Sequence, residues 1–535
     1  MKDVIRVSDM SRRNSDSLCT LDEPDLKPSR SSLGSVKEGP ALTPLKPELI
    51  QCCECSLDGT CALNIARPKS REEEDRLVAS FLSGLEKLFT RENNWTFLRF
   101  LVYTMENCTR CQSCSDACHI YEASGRQEIY RPTYRTEVLR RLYFKYVKHG
   151  GLLSAWQHGD IELNWPLVAR LAELSYRCNL CRRCAQVCPI GADNGLLAHE
   201  LRKIFSQEMG IHPKELHDKG TMLQLKVGST TGMPAAAVKD NVEFIDEDMS
   251  ERTGLEVHTP WDVEGADVLL IHNAGEILAW PENPGAYAVV LNAAGIRWTL
   301  SSELAGYDAV NYGLWYDDAQ FTRVALKQLE VARKLKVKKI VIGECGHAHK
   351  SLLVNVNRIA DDELNIPRFS SIDLLRDIVF SGKLKLDPSR NNFPITLQDP
   401  CAIVRLMRII EPQREILHAI APRFREMMPH GVDNYCCGGG GGLAILNANN
   451  FGDWRSEVAG RKKLDQILNA FSDSLGSSIP KYVCAPCSNC KGQIRDLFSY
   501  WNIWERNRIL YGGLAELVVN AMAEVKPGFL DWEWR

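Results

Sequence analysis

No apolar run in this 535-residue chain reaches the length that a bilayer crossing needs, so no membrane span is expected. The opening, MKDVIRVSDMSRRNSDS, lacks an apolar core and does not read as a secretory signal. Charge of one sign is lacking too: the formal net charge is −3, and nothing marks a nucleic-acid binder. A G-K-[ST] phosphate loop is absent, although glycine is concentrated at 438–442. These absences lead to the expectation of a soluble chain in the cytoplasm.

Cysteine is what the chain has in excess. Its 20 cysteines fall in tight groups separated by long cysteine-free stretches. A secreted disulfide scaffold would be short and would carry a signal. In a reducing compartment, grouped thiols read as metal ligands.

Residues 1–75 are expected to be a mostly disordered extension, rich in Ser, Pro, Lys and Asp at its start. It holds QCCECSLDGTC, whose Cys52, Cys53, Cys55 and Cys61 could bind a metal or remain uncommitted thiols, and Cys19 reads as free. Residues 76–225 repeat apolar positions at helical spacing, as in YRTEVLRRLYFKYVKHG and WPLVARLAELSYRC. A linker is expected at 226–260. From 261 onward short apolar runs such as ADVLLIHNAG alternate with helical stretches, the pattern of α/β units. KKIVIGECGHAHK (338–350) resembles PKYVCAPCSNCKG (480–492), which sets Cys345 opposite Cys487 and Ile342 opposite Cys484. Two similar halves follow, at 261–385 and 386–500, with a tail at 501–535. Trp501, Trp504, Trp532 and Trp534 cluster late in the chain and read as core or tail contacts. The expected fold class is α plus α/β: a helical ferredoxin-like domain followed by a two-half α/β domain.

CTRCQSCSDAC supplies Cys108, Cys111, Cys114 and Cys118, and CNLCRRCAQVCP supplies Cys178, Cys181, Cys184 and Cys188. Both are C-x2-C-x2-C-x3-C. Three thiolates at x2 spacing cap three irons of one cube, and the following turn carries the fourth to the other cube. Cys108, Cys111, Cys114 and Cys188 are therefore expected on one cubane [4Fe–4S] cluster, and Cys178, Cys181, Cys184 and Cys118 on a second. Zinc sites would leave the trailing x3-C unexplained. Pro189 follows Cys188, whereas His119 stands after Cys118 where proline is usual.

The glycines of NYCCGGGGGLAIL follow Cys436 and Cys437 directly. Cys401 ends one strand-like run, and Cys484 and Cys487 end another. Thiols converging from three loops suit a larger or irregular iron–sulfur site. Bare backbone beside them can lie against a cluster, point N–H groups at sulfide, or leave a slot through which a substrate sulfur approaches.

The arrangement of Cys401, the Cys436–Cys437–Gly438 triplet and Cys484-A-P-Cys487 resembles the cysteine-rich CCG domain of heterodisulfide reductase catalytic subunits. The fused ferredoxin pair resembles the HdrD type. GECGH (343–347) and GKLKLDPSRN (382–391) are similar to the DsrK-type iron–sulfur subunits of Dsr membrane complexes. That resemblance covers roughly residues 90–520. It implies a special [4Fe–4S] cluster, non-cubane in some members, on Cys401, Cys436, Cys437, Cys484 and Cys487. It further implies thiol, disulfide or trisulfide chemistry there, with Cys345 as a nearby sixth thiol. Cys490 adds a further C-x2-C step. His347 and His349 are the nearest proton carriers in sequence, ahead of His272. The implied partners are a membrane cytochrome b-type subunit and a DsrC-like sulfur carrier, with attachment to the inner face of the cytoplasmic membrane. The second reading is an electron-wiring subunit of Tmc, Hmc or glycolate-oxidase type, with chemistry on a partner.

Overall fold

The computed structural model describes residue 63 and residues 65–530, apart from 93, 95–96, 127–129, 359, 447–453 and 477. The expectations for Cys19, Cys52, Cys53, Cys55, Cys61, Trp532 and Trp534 fall outside the described residues. The chain packs into two units. One joins the segment ending at Leu216 to Trp315–Asp317 and Gly438–Lys462, and the other holds His217–Leu314, Asp318–Cys437 and the segment from Lys463 onward.

The first unit is helical. Its long elements are α1 (Arg71–Phe89), α2 (Arg99–Asn107), α3 (Pro132–Leu142), α4 (Trp165–Ser175) and α5 (Asn194–Met209). Their ends follow local chemistry. The Ser70 hydroxyl accepts from Glu73 N and places Glu72, Glu73 and Glu74 in the first turn of α1, where the helix dipole favours negative charge. Asn164 and Asp193 cap α4 and α5 in the same way. Phe81 of α1 stacks on Phe205 of α5 with ring centroids 5.5 Å apart, and both side chains are fully buried.

The second unit opens with α6 (Ala235–Thr253), a helix where a linker was expected. Val238, Val242, Ile245 and Met249 recur at helical spacing and are buried, and that stripe pins the helix to a core. Eight short strands then form two four-stranded parallel sheets. The strands are β1 (Val268–Ile271), β2 (Trp298–Thr299), β3 (Lys339–Ile342), β4 (Arg368–Ser370), β5 (Ile395–Leu397), β6 (Phe424–Arg425), β7 (Lys481–Cys484) and β8 (Ile509–Gly512). The orders are β2-β1-β3-β4 and β6-β5-β7-β8, so the two sheets share one topology. Both faces of the central strands are buried, which is why they read as continuous apolar runs.

Alternation along the strands sorts the side chains. Val268, Leu270 and Val341 of the first sheet meet Ile395, Leu397, Tyr482 and Cys484 of the second in one core cluster. Leu269, Ile271, Ile340 and Ile342 join a separate cluster with Cys345. Residues after 501 are no tail. Strand β8 pairs with β7, and α14 (Leu514–Ala521) is buried throughout. Apolar Ile509–Leu510 and the Leu-Ala-Glu-Leu-Val-Val run of α14 account for this. Trp501 lies in the core and Trp504 is half-buried.

Candidate functional site

The two ferredoxin-like motifs take the same backbone path. Arg110 and Gln112 in the first, and Leu180 and Arg182 in the second, adopt left-handed φ of 57°, 71°, 52° and 61°. Non-glycine residues rarely sit there, and four of them curl the C-x2-C loops tightly enough to aim successive thiols at one point. A short helix then carries each third cysteine: Ser113–Asp116 holds Cys114 and Arg183–Gln186 holds Cys184.

The thiols sort across the motifs. Burial first, then Cys108 and Cys188, push the Cys114 thiol up to about 12. Burial raises Cys108 as well, and Cys188 adds to it. Cys118 is pushed up to about 12 by burial, with Cys181 and Cys178 as its thiol neighbours. Cys184 is raised by burial and faces Cys181 and Cys178. Each trailing cysteine thus sits with the three thiols of the other motif. Backbone N–H groups already point at sulfur, from Leu180 to Cys178 Sγ at 3.4 Å and from Ala192 to Cys188 Sγ at 3.2 Å. Crowded thiols with amide donors aimed at them fit iron–sulfur clusters, which bind them as thiolates.

In the second unit, thiols gather beyond the carboxyl ends of the strands, where ligand sites in parallel sheets form. Cys345 is the N-cap of α9 (Gly346–His349) after β3, and Cys487 is the N-cap of α13 (Ser488–Trp501) after β7. Cys401 opens α11 (Cys401–Leu406) after β5. The Gly346 N–H donates to Cys487 Sγ at 3.3 Å, and Asn273 Nδ2 donates to Cys345 Sγ at 3.2 Å. Cys490 hydrogen-bonds to both Cys437 and Cys487, and Gln398 Nε2 approaches Cys490 Sγ at 3.6 Å. Donation from Cys490 holds the Cys487 thiol below its ordinary range.

The loop leading to Cys436 is tied down on three sides. Asp399, paired with Arg414 at 2.7 Å and 2.9 Å, accepts from Gly431 N. Arg405 donates to Val432 O and Asn434 O. Lys463 donates to Asn434 Oδ1 at 2.6 Å; burial pushes its ammonium down to about 8, and Cys437, Cys490 and Cys436 lie close enough to oppose that shift. A cation beside thiols favours their ionised form.

Not every expected residue joins this group. Cys484 alternates with Val483 in β7, and its side chain belongs to the apolar core cluster. Its charged neighbours are Glu344, Glu516, Lys491 and Asp399. His349 is fixed between Cys345 O and Ser370 Oγ, each at 2.8 Å. His347 is half-buried and pushed down to about 4 by burial, as His349 is. His272 contacts Glu276 Oε2 at 3.2 Å. Sequence reasoning passed over Lys463, Asn273 and the buried Glu344, which caps α14 through the N–H groups of Leu514 and Ala515. A lone Lys or Asn carries no spacing signal.

The glycine run corrects one expectation. It leaves no slot for a substrate arm. A Cβ on Gly440 would stand 2.5 Å from Asn179 O, and one on Gly441 would stand 2.8 Å from Cys178 O. The run lies flat against the loop that carries Cys178, and a side chain has no room. Asn179 Nδ2 donates to Gly438 O at 2.7 Å, and Arg202 donates to Gly441 O at 2.7 Å and to Cys178 O at 2.7 Å. Gly440→Val should therefore cost about 1–3 kcal/mol of stability through overpacking, read as a lower thermal midpoint. A valine accommodated with no loss of stability would restore the open slot.

Fold and thiol geometry define an iron–sulfur oxidoreductase subunit, and comparison with known proteins agrees. Residues 104–192 match the 4Fe-4S dicluster domain family and residues 395–495 match the cysteine-rich domain family. The chain is similar to the Hdr-like menaquinol oxidoreductase iron–sulfur subunit 2 of Archaeoglobus fulgidus, 26% identical over 471 residues, with 81% of each chain covered. It is also similar to the HdrD-type polypeptide of the dihydromethanophenazine:CoB–CoM heterodisulfide reductase of Methanosarcina acetivorans, 25% identical over 383 residues, covering 70% of this chain and 87% of that protein. A probable iron–sulfur-binding oxidoreductase, FadF of Bacillus subtilis, is 23% identical over 336 residues, 60% of this chain and 43% of its own. No solved structure matches. These likenesses support an HdrD-like family and indicate bound iron–sulfur clusters.

Proposed function

We propose that this chain passes electrons between a quinone-linked membrane partner and a thiol/disulfide or trisulfide substrate. Two cubane [4Fe–4S] clusters would be held by Cys108, Cys111, Cys114 and Cys188, and by Cys118, Cys178, Cys181 and Cys184. A third, special cluster would be held by Cys401, Cys436, Cys437, Cys487 and Cys490. Cys490 replaces Cys484 in that set because it meets Cys437 and Cys487, whereas Cys484 lies in the apolar core. When bound, the clusters supply one-electron redox chemistry.

The meeting of Cys345, Cys437, Cys487 and Cys490 carries this reading. Cys345 touches the set without a place in the motif, and Asn273 orients its sulfur. A free thiol there is suited to exchange with an incoming disulfide. The substrate we favour is the cysteine-bearing arm of a DsrC-type carrier, in sulfur metabolism of the DsrK kind. The partner is a cytochrome b-type subunit, with attachment at the inner face of the cytoplasmic membrane. No helix among the described residues is long and apolar enough to cross a membrane, which supports attachment through partners.

The test uses iron-loaded protein, reduced viologen as donor, and a peptide closed by one disulfide. Turnover of the disulfide is expected. It should vanish in Cys437→Ser and in Cys181→Ser, while Cys181→Ser still binds the peptide. Wild-type protein that takes up electrons and never opens the disulfide would favour the wiring reading.

A further inference from the structure

We propose that Asn179, oriented by His119, is the hydrogen-bonded bridge through which single electrons pass between the Cys118/Cys178/Cys181/Cys184 thiol set and Cys437. The inference rests on the reading of both places as cluster sites. Asn179 follows Cys178 and His119 follows Cys118, so each is bonded to a thiol residue of the same set. Both side chains are buried, 2% and 1% exposed.

Their hydrogen-bond chemistry leaves one arrangement. Asn179 Nδ2 gives its two hydrogens to Gly438 O at 2.7 Å and Gly440 O at 3.3 Å. Asn179 Oδ1 must then accept, so the His119 nitrogen 2.8 Å away, Nε2, carries a hydrogen and donates it. His119 thus locks the amide with its donors toward the glycines. This gives a physical reason for histidine at a position where proline, with no donor, would leave the amide unfixed.

From Cys178 the route runs along its own backbone to the Asn179 amide, across one hydrogen bond to Gly438 O, and through covalent bonds to Cys437. It has a single non-covalent step. The alternative through Arg202 crosses two, from Cys178 O and to Gly441 O, and arrives four residues from Cys437. The electron balance is simple. One electron leaves the centre on the second thiol set and one enters the centre at Cys437. No bond at Asn179 forms or breaks, and its protons stay in place. A low-potential donor such as reduced viologen supplies the electrons.

The test compares full-length, iron-loaded wild type with Asn179→Leu and His119→Leu. Each is mixed with reduced viologen, freeze-quenched, and followed by electron paramagnetic resonance. Asn179→Leu should slow the appearance of the reduced third centre at least roughly tenfold, with iron content and midpoint potentials unchanged. His119→Leu should slow it by a smaller factor, because Asn179 keeps its carbonyl bonds. A purely structural residue would change iron content or potentials and leave the rate of an intact protein alone. Unchanged rates in both variants overturn the bridge. If Asn179→Leu loses iron, His119→Leu decides, and an unslowed rate there overturns the proposal. Absence of a third centre in wild type would instead overturn the cluster reading beneath it.

Discussion

Cys490→Ser is expected to lower bound iron from about 12 to about 8 per chain, while Cys484→Ser keeps all of it. The two cysteines stand six positions apart and differ in what surrounds them. Cys490 lies in the first turn of α13, in hydrogen-bond contact with Cys437 and Cys487. A serine there offers a hard oxygen where a soft sulfur ligand is needed. Cys484 ends β7 inside the apolar core cluster. Serine there buries a hydroxyl among apolar side chains and costs about 1–3 kcal/mol, so the variant should unfold earlier with its iron complete. Iron and acid-labile sulfide assays on the two purified proteins, beside their thermal midpoints, make the comparison. Full iron in Cys490→Ser and about 8 in Cys484→Ser would return the ligand role to Cys484.

Arg202→Met should be the most destabilising single change in the helical unit. The guanidinium is fully buried and donates to Ser175 O from two nitrogens, and to Cys178 O, Trp315 O and Gly441 O. It also lies 4.2 Å from the centre of the Tyr176 ring. Removing it leaves four buried carbonyls to find partners, at about 1–3 kcal/mol each where they fail. A total loss of about 4 kcal/mol or more is expected, measured by denaturant unfolding. Arg202→Lys should recover little, because an ammonium cannot reproduce the planar fork that reaches separated carbonyls. A methionine variant within about 1 kcal/mol of wild type would mean that water or neighbouring donors satisfy those carbonyls.

The paired C-x2-C-x2-C-x3-C motifs were legible because the information is local: ligand geometry fixes the spacing, and the trailing residue's swing to the other motif follows from it. The burial of Cys118 beside Cys178 and Cys181 follows that rule. The α/β alternation after 261 was legible for the same reason, as was the likeness of Cys345 to Cys487, which proves to be a shared N-cap position. The choice between Cys484 and Cys490 was not. It depends on where β7 ends, and "VCAPC" gives no sharp stop. Helix α6 was missed because its stripe of Val238, Val242, Ile245 and Met249 is thin and follows a Gly-Ser-Thr-rich stretch. The purpose of the glycines was hidden most completely. Their partner, Asn179, stands 259 residues earlier in the chain, and no local pattern encodes such a distance.

That same separation sets an order of events during synthesis. The helical unit includes Gly438–Lys462, so it remains incomplete while the intervening chain is still being made. At about 5–20 residues per second, Asn179 waits on the order of ten to fifty seconds for the glycines that cover its loop. Throughout that interval the Cys178 loop lacks its lid on the ribosome. Metal delivery to those thiols is therefore paced by translation of the opposite end of the message, and a nascent chain stalled between the two segments would expose sulfur ligands to oxidation before they could be used.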